Sequence, residues 1–86
     1  MQFEFDKNKS NTNKLKHGID FIEAQKIWDD ESFIRIPSGF TDEPRYVCIG
    51  LIVDKHYSAV VTYRDESIRI ISVRRARKEE VAYYEG

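Results

Sequence analysis

Cysteine occurs only once in this chain, at position 48, so no disulfide bond can form within it. Because Cys48 lies inside an apolar stretch, we predict a small core residue and not a nucleophile. No apolar run approaches the roughly 18–20 residues that a membrane-crossing helix needs, and the first residues lack the apolar core of a secretory leader. These absences exclude disulfide-stapled and membrane-spanning proteins and predict a cytoplasmic, reducing setting.

A large net charge is also absent, since the formal charge is −1 at pH 7. The chain is therefore not a bulk binder of polyanions, and any contact with a nucleic acid must come from a local patch. The charge is nevertheless uneven. Residues 1–43 carry an excess of three acidic side chains, whereas residues 44–86 carry an excess of two basic ones.

The length of 86 residues predicts a single domain over 1–86 with a modest core. Apolar spacing and turn residues give the element order β-α-α-β-β-β-β-α. Consecutive strands that are joined by tight turns must run antiparallel. We therefore predict an α+β domain with a four- or five-stranded, mainly antiparallel sheet and helices on one face.

The predicted strands are Phe3–Phe5, Phe33–Ile36, Arg45–Val53, Tyr57–Tyr63 and Ile68–Val73, and the predicted helices are Lys7–His17, a segment around Phe21–Trp28, and Arg77–Tyr84. Pro37 is expected to stop the second strand, and Ser38–Pro44 to form a loop. Asp6 and Gly18 are expected to cap the two ends of the first helix, and Asp20 and Glu23 have the spacing of a reciprocal capping box for the second. The first helix is rich in asparagine and poor by propensity. Either tertiary contacts hold it or it is only partly helical.

The segment Ile68–Arg77 couples a β-branched strand directly to a cluster of arginines. Such a strand can aim the guanidinium groups of Arg74 and Arg75 at a phosphate. The alternative is a buried strand followed by a solvated basic segment. The antiparallel turn before this strand places Arg64 near Arg69 and places Arg74 across from the residues near Tyr57, which argues against a single tight arginine pair. A helix or a bent strand can still bring the side chains to one cleft, and the sequence alone leaves this open.

Candidates for proton transfer are His17, His56, Glu66 and the pair Tyr83 and Tyr84. His17 is preferred because imidazole titrates near neutrality. A helix-terminal histidine that contacts the last carbonyl groups is the alternative. His56 is expected to be exposed and inert in a turn. We predict neither a metal site nor a cofactor, because the acidic run Asp29–Glu31 does not converge on a point and no zinc spacing or phosphate-binding glycine loop is present.

Several short motifs together resemble the BrnT toxins, which belong to the RelE/ParE-like toxins. They are FEFD at 3–6, KHG at Lys16–Gly18, FIEA at Phe21–Ala24, IG at Ile49–Gly50, TYR at Thr62–Arg64 and RIISVRRA at Arg69–Ala76. The resemblance covers nearly the whole chain. It implies a small α+β ribonuclease that is neutralised by a ribbon-helix-helix antitoxin called BrnA.

By motif, the resemblance implicates His17, Arg64, Arg74 and Arg75 in catalysis. Tyr83 or Tyr84 matches the terminal aromatic residue, and Glu79 or Glu80 the acidic position before it. Together with the basic patch, it leads us to expect RNA contacts at Arg69, Arg77 and Tyr83, and contact with operator DNA only through the antitoxin. The expected reaction is metal-independent attack by the RNA 2′-hydroxyl group.

Two other functions remain open at the level of sequence. The chain can be a poison that binds a protein such as DNA gyrase, as ParE relatives do. It can also be a non-enzymatic subunit whose basic face docks an acidic antitoxin helix or operator DNA. The first predicts blocked replication without RNA cleavage, and the second predicts no growth arrest.

Overall fold

The computed structural model describes residues 2–40 and 42–86, with only the backbone described at Phe40. Its elements are β1 (Gln2–Glu4), α1 (Lys7–His17), a 3₁₀ helix (Glu23–Asp29), β2 (Ile34–Phe40), β3 (Pro44–Ile52), β4 (Lys55–Arg64), β5 (Ser67–Arg75) and α2 (Lys78–Glu85). The predicted α+β class is confirmed, and the element order differs from the prediction only in that the second helix is a 3₁₀ helix. No helix among the described residues is long and apolar enough to cross a membrane.

The five strands form one sheet in the order β1-β5-β4-β3-β2. Strands β2 to β5 form an antiparallel meander, because short turns join them. β1 instead pairs in parallel with the start of β5, Phe3 lying opposite Ile68. The sheet is therefore mixed, although mainly antiparallel as predicted.

Two sequence predictions of local structure were wrong. β2 continues through Pro37 to Phe40, so part of the predicted loop Ser38–Pro44 is strand; Thr41 lies outside the described residues. Proline is tolerated there because β2 is an edge strand, where one side of the strand makes no ladder hydrogen bonds. The second predicted helix is a 3₁₀ helix, although the predicted reciprocal cap is present: Glu23 N–H donates to Asp20 Oδ1 (2.8 Å) and Asp20 N–H to Glu23 Oε1 (3.0 Å).

The core lies between one face of the sheet and the 3₁₀ helix. It contains Cys48, as predicted, with alternate residues of β4 and β5 such as Ala59, Val61 and Val73, and Ile27 from the 3₁₀ helix. Side chains alternate along a strand, so the intervening residues point to the opposite face. We call that opposite face, defined by Ser58, Val60, Thr62, Arg64, Arg69 and Arg74, the open face.

α2 is the exception to the prediction that the helices lie on one face. Its Glu80 contacts Ser58 and Arg74, so α2 lies on the open face at one end. Ile49 is fully buried but belongs to no part of the main core cluster, as expected for a residue on the open-face side. Among the described residues, no other helix lies over the open face.

Candidate functional site

At one end of the open face, a carboxylate on α2 accepts four hydrogen bonds. Glu80 accepts from Arg74 Nη1 (2.7 Å) and Nη2 (3.0 Å), from Ser58 Oγ (2.8 Å) and from the backbone N–H of Arg77 (2.8 Å). The strand register explains this, since Ser58 and Arg74 are direct cross-strand partners. The bidentate pair is of the strong, charge-assisted kind.

The same pair changes the acidity of both groups. Hydrogen bonding to the Arg74 guanidinium is the main cause that lowers the pKa of Glu80 to about 2, against an opposing effect of burial. The pKa of Arg74 is raised, chiefly by its hydrogen bond to Glu80. Glu80 is therefore a carboxylate at every physiological pH, and it is a weak base.

The other end of the open face holds a second group of ion pairs. Arg64 contacts Glu43 (Nη2–Oε1 3.1 Å) and Glu4 (Nη1–Oε1 3.5 Å), and Arg69 contacts the same Glu4 oxygen at 3.6 Å. The hydrogen bond to Glu43 is the main cause that raises the pKa of Arg64. The expected proximity of Arg64 and Arg69 is thus present.

The two groups are far apart. Arg74 pairs with Ser58, and Arg64 lies six residues further along β4. At about 3.3 Å per residue, their Cα positions are separated by about 20 Å. One phosphate cannot be held by Arg64 and Arg74 together, so these arginines can serve only different phosphates of one strand.

Arg75 points to the side of the sheet opposite Arg74 and has a different environment. Its guanidinium carbon lies 5.7 Å from the centre of the Tyr57 ring, in a cation–π arrangement. No carboxylate of a described residue lies within ion-pair distance of it. Arg77 is exposed at the start of α2, and Tyr83 is exposed on that helix. These three side chains are accessible to a ligand without breaking an ion pair.

His17 lies at the C-terminal end of α1, away from the ion pairs. It lines an open groove between α1 and β5 together with Ile71 and Ser72 of the strand. Ser72 belongs to the same face of β5 as Arg74, two residues further on. His17 is therefore at the edge of the open face, and no hydrogen bond of its ring is present among the described residues.

A further polar network lies at the α2 end, and sequence reasoning missed it. His56 Nε2 contacts Glu85 Oε2 at 2.7 Å, and Tyr84 donates to Asp30 Oδ2 (2.7 Å), which also accepts from the Leu51 N–H. His56 is a half-buried strand residue, so its assignment to an exposed turn was wrong. His56 and Tyr84 were candidates for proton transfer in the sequence, but no sequence signal indicated their partners Glu85 and Asp30.

The Asp30 contacts show that one carboxylate of the acidic run Asp29–Glu31 has a structural role. Hydrogen bonding from the Leu51 N–H is the main cause that lowers the pKa of Asp30. The bond to Asp30 is the main cause that raises the pKa of Tyr84 to about 12. The Tyr84 hydroxyl therefore helps to hold α2 in place, and it does not readily release a proton at neutral pH.

The fold and the site define a class: a small α+β domain that presents arginines from adjacent strands on one sheet face, as phosphate recognition requires. Comparison with known families makes the assignment specific. Residues 5–80 match the family described as ribonuclease toxin, BrnT, of type II toxin-antitoxin system. The match spans most of the chain, and the chain belongs to this family. No curated protein matches the chain.

Membership confirms the resemblance seen in the motifs. A toxin-antitoxin ribonuclease family implies an RNA target and an antitoxin partner. The family assignment names no residues, so the roles of His17 and the arginines stay predictions.

Proposed function

We propose that this protein arrests growth as an endoribonuclease that cleaves RNA by attack of the 2′-hydroxyl group, without a metal ion. The observation that carries the proposal is the sharing of one face by Arg64, Arg69 and Arg74, with His17 at its edge. An RNA strand that crosses this face meets cations at both ends. Family membership supplies the class of substrate.

In the proposed reaction the RNA 2′-oxygen forms a bond to phosphorus and the bond from phosphorus to the 5′-oxygen breaks. The products are a 2′,3′-cyclic phosphate and a free 5′-hydroxyl group. A base takes the proton from the 2′-hydroxyl, and an acid gives one to the leaving oxygen. Cations stabilise the negative charge that grows on the phosphate.

We assign proton transfer to His17 and the scissile phosphate to Arg74. Arg75, whose side chain points to the other side of the sheet, contacts a neighbouring part of the strand at the β5 edge. Arg64 and Arg69, about 20 Å away, hold another phosphate of the same strand. Arg77 and Tyr83, which are exposed at the α2 end, contact the strand beyond Arg74.

Ion pairs with glutamates decide which of these cations a phosphate can contact without competition. Arg75 has no ion pair with a described carboxylate, whereas Arg74 is held by Glu80 and Arg64 by Glu43. A phosphate can reach Arg75 at once but must compete with a carboxylate at Arg74 and Arg64.

The antitoxin partner is proposed to be a BrnA-like ribbon-helix-helix protein. The exposed cations of the open face suit an acidic segment of such a partner, because electrostatic complementarity favours that encounter. Operator DNA is then contacted through the antitoxin and not directly. We place the pair in the cytoplasm, where both RNA and the antitoxin are found.

The test incubates the purified chain, freed of antitoxin, with naked RNA and with ribosome-bound messenger RNA, in excess EDTA. We expect cleavage by the wild type and 5′-hydroxyl ends on the products. His17→Gln is expected to lose about 10²-fold or more in rate, within the range for a general acid or base. Arg64→Ala and Arg75→Ala leave the Arg74–Glu80 pair intact, and each is expected to slow cleavage.

Lys26→Ala is the matched control, because Lys26 is an exposed cation of the 3₁₀ helix on the other side of the sheet. It is expected to cleave like the wild type. Absence of cleavage in both RNA preparations, together with growth arrest and blocked replication in cells, would refute the proposal in favour of a gyrase-type poison. A chain that causes no growth arrest when expressed alone would instead be a docking subunit.

A further inference from the structure

α1 is attached to the domain by polar side chains and not by an apolar face. Ser10 Oγ accepts from the Phe21 N–H (2.9 Å), and Asn13 Nδ2 donates to the carbonyl oxygens of Ile19 and Val73, each at 2.8 Å. Both side chains are buried, whereas Leu15 is 90% exposed. Lys14 adds an exposed contact to Glu23 of the 3₁₀ helix, and most of the remaining helix surface makes no side-chain contact with the domain.

That remaining surface is basic. α1 carries Lys7, Lys9, Lys14, Lys16 and His17 and no acidic residue within its bounds. Asp6 precedes the helix and is engaged as its cap, accepting from the backbone N–H groups of the first turn.

The helix dipole does not account for this pattern. Cations near a helix C-terminus are stabilised by the dipole, which explains Lys14, Lys16 and His17 in the last turn. Lys9 lies in the first turn, where the dipole disfavours a positive charge. A basic residue at that position indicates a use other than stability of the helix.

The lysines that face the groove have no ion-pair partner among the described residues. Lys14 pairs with Glu23 at 2.8 Å, but neither Lys9 nor Lys16 lies within 4.0 Å of a described carboxylate oxygen. On the open face, Arg64, Arg69 and Arg74 are all paired with glutamates. The groove therefore offers cations that an incoming anion can contact without displacing a carboxylate.

The groove itself is large enough to hold part of a polynucleotide. Its volume is about 470 Å³, and it is lined by the capping residue Asp6, by Asn8, Lys9, Thr12, Asn13, Lys16 and His17 from α1, and by Ile71 and Ser72 from β5. Ser72 shares the face of Arg74, so the groove opens onto the open face at the β5 edge. Cations, a hydroxyl group and an apolar floor match the phosphates, ribose and bases of a single strand.

We infer that this groove, which we call the α1 groove, binds the backbone of the single-stranded RNA substrate through Lys9 and Lys16. The inference rests on the proposed function and adds a binding site outside the arginines and the histidine. The bound strand continues from the open face past His17 and along α1. Lys9 and Lys16 contact phosphates by charge and so carry no sequence preference.

The test measures binding of a short fluorescent oligoribonucleotide by anisotropy over a range of salt concentrations. The probe is methylated at every 2′-oxygen, so it cannot be cleaved by 2′-hydroxyl attack. The variant is Lys9→Gln with Lys16→Gln, and the matched control is Lys26→Gln with Lys55→Gln, which neutralises two cations away from the groove. Both pairs remove the same charge.

We expect the groove variant to bind more weakly than the control and to have a shallower dependence of log affinity on log salt. A slope of about 0.7 per phosphate contact in single strands gives a decrease of about 1.4 for two lost contacts. Equal affinity and slope in the two variants would overturn the inference. Weaker probe binding that appears only when the antitoxin is bound would also overturn the inference. A wild type that does not bind the probe would overturn it too.

Cleavage of unmodified RNA is measured in parallel, so the two ideas can fail separately. A wild type that binds the probe with the expected salt slope but cleaves no RNA refutes the proposed function and leaves the α1 groove as an RNA-binding site. A wild type that cleaves RNA, with a groove variant that matches the control, refutes only the inference.

Discussion

Replacing Glu80 by glutamine is expected to destabilise the domain in a manner that depends on pH. The Glu80 carboxylate is mostly shielded, at 16% side-chain exposure, and it receives two hydrogen bonds from Arg74 with one each from Ser58 and the Arg77 N–H. A fall in the pKa of Glu80 to about 2 from the ordinary value of 4.5 corresponds to about 3 kcal/mol. Screening at the partly open surface reduces the expected effect to about 2 kcal/mol.

The sign of the pH effect follows from the lowered pKa. The stabilisation is fully present above the unfolded pKa near 4.5 and is lost as the pH falls towards about 2, where Glu80 becomes protonated in the folded state. At pH 7, Glu80→Gln is expected to lower the free energy of unfolding by about 2 kcal/mol. The difference from the wild type should shrink as the pH is lowered through this window.

The assay is urea unfolding, followed by circular dichroism, from pH 7 down to the lowest pH at which the wild type stays folded. Glu79→Gln is the matched control, because Glu79 is exposed one residue away on α2 and makes the same change in charge. The reasoning would be refuted if Glu80→Gln matched Glu79→Gln at pH 7, or if its deficit stayed constant down to pH 3.

Three further predictions concern buried positions. Asn13→Ala should lower the free energy of unfolding in urea by about 2–4 kcal/mol, because backbone groups of Val73 lose their buried partner. The exposed control Asn11→Ala should change stability by less than about 0.5 kcal/mol, and equal effects of the two changes would contradict the role of Asn13. Gly50→Ala should lower the free energy of unfolding by about 1–3 kcal/mol, because the added Cβ would lie 3.0–3.2 Å from atoms of the 3₁₀ helix and the residues after it. Unchanged stability would mean that the neighbouring atoms move aside without a cost in free energy. Cys48 is fully buried, and burial is the main cause that raises the pKa of its thiol to about 11. Iodoacetamide at pH 8 should therefore label Cys48 only as fast as the protein unfolds, which mass spectrometry in graded urea would show. Rapid labelling of the folded protein would contradict this expectation.

The sequence determined the local elements and much of the relation between them. Apolar runs rich in β-branched residues defined β3, β4 and β5, and the tight turns between them required an antiparallel meander. The same turn between β4 and β5 places Arg64 and Arg74 at opposite ends of the sheet, so the sequence argued against one site for both, and the structure decided the question. The caps of α1 were visible too, since Asp6 and Gly18 begin and end it as predicted.

Tertiary structure alone decided how the charges are paired. The Arg64–Glu4 contact joins residues 60 positions apart, and Asn13 reaches Val73 over the same separation. Local propensity carries no information about such partners, because they depend on how distant segments pack. The continuation of β2 through Pro37 and the position of α2 on the open face have the same origin.

The sequence by itself therefore determined which residue types are available for binding RNA, and the tertiary structure decided which of them are free to do so. The arginines that the motifs indicated include several that are neutralised by glutamates. Lys9 lies in none of the motifs, and Lys16 lies in the KHG motif without an assigned role, yet both face a groove without a described partner. The physical reason is that the residue type sets the charge of a side chain, whereas the fold decides whether a group of opposite charge lies within about 4 Å of it.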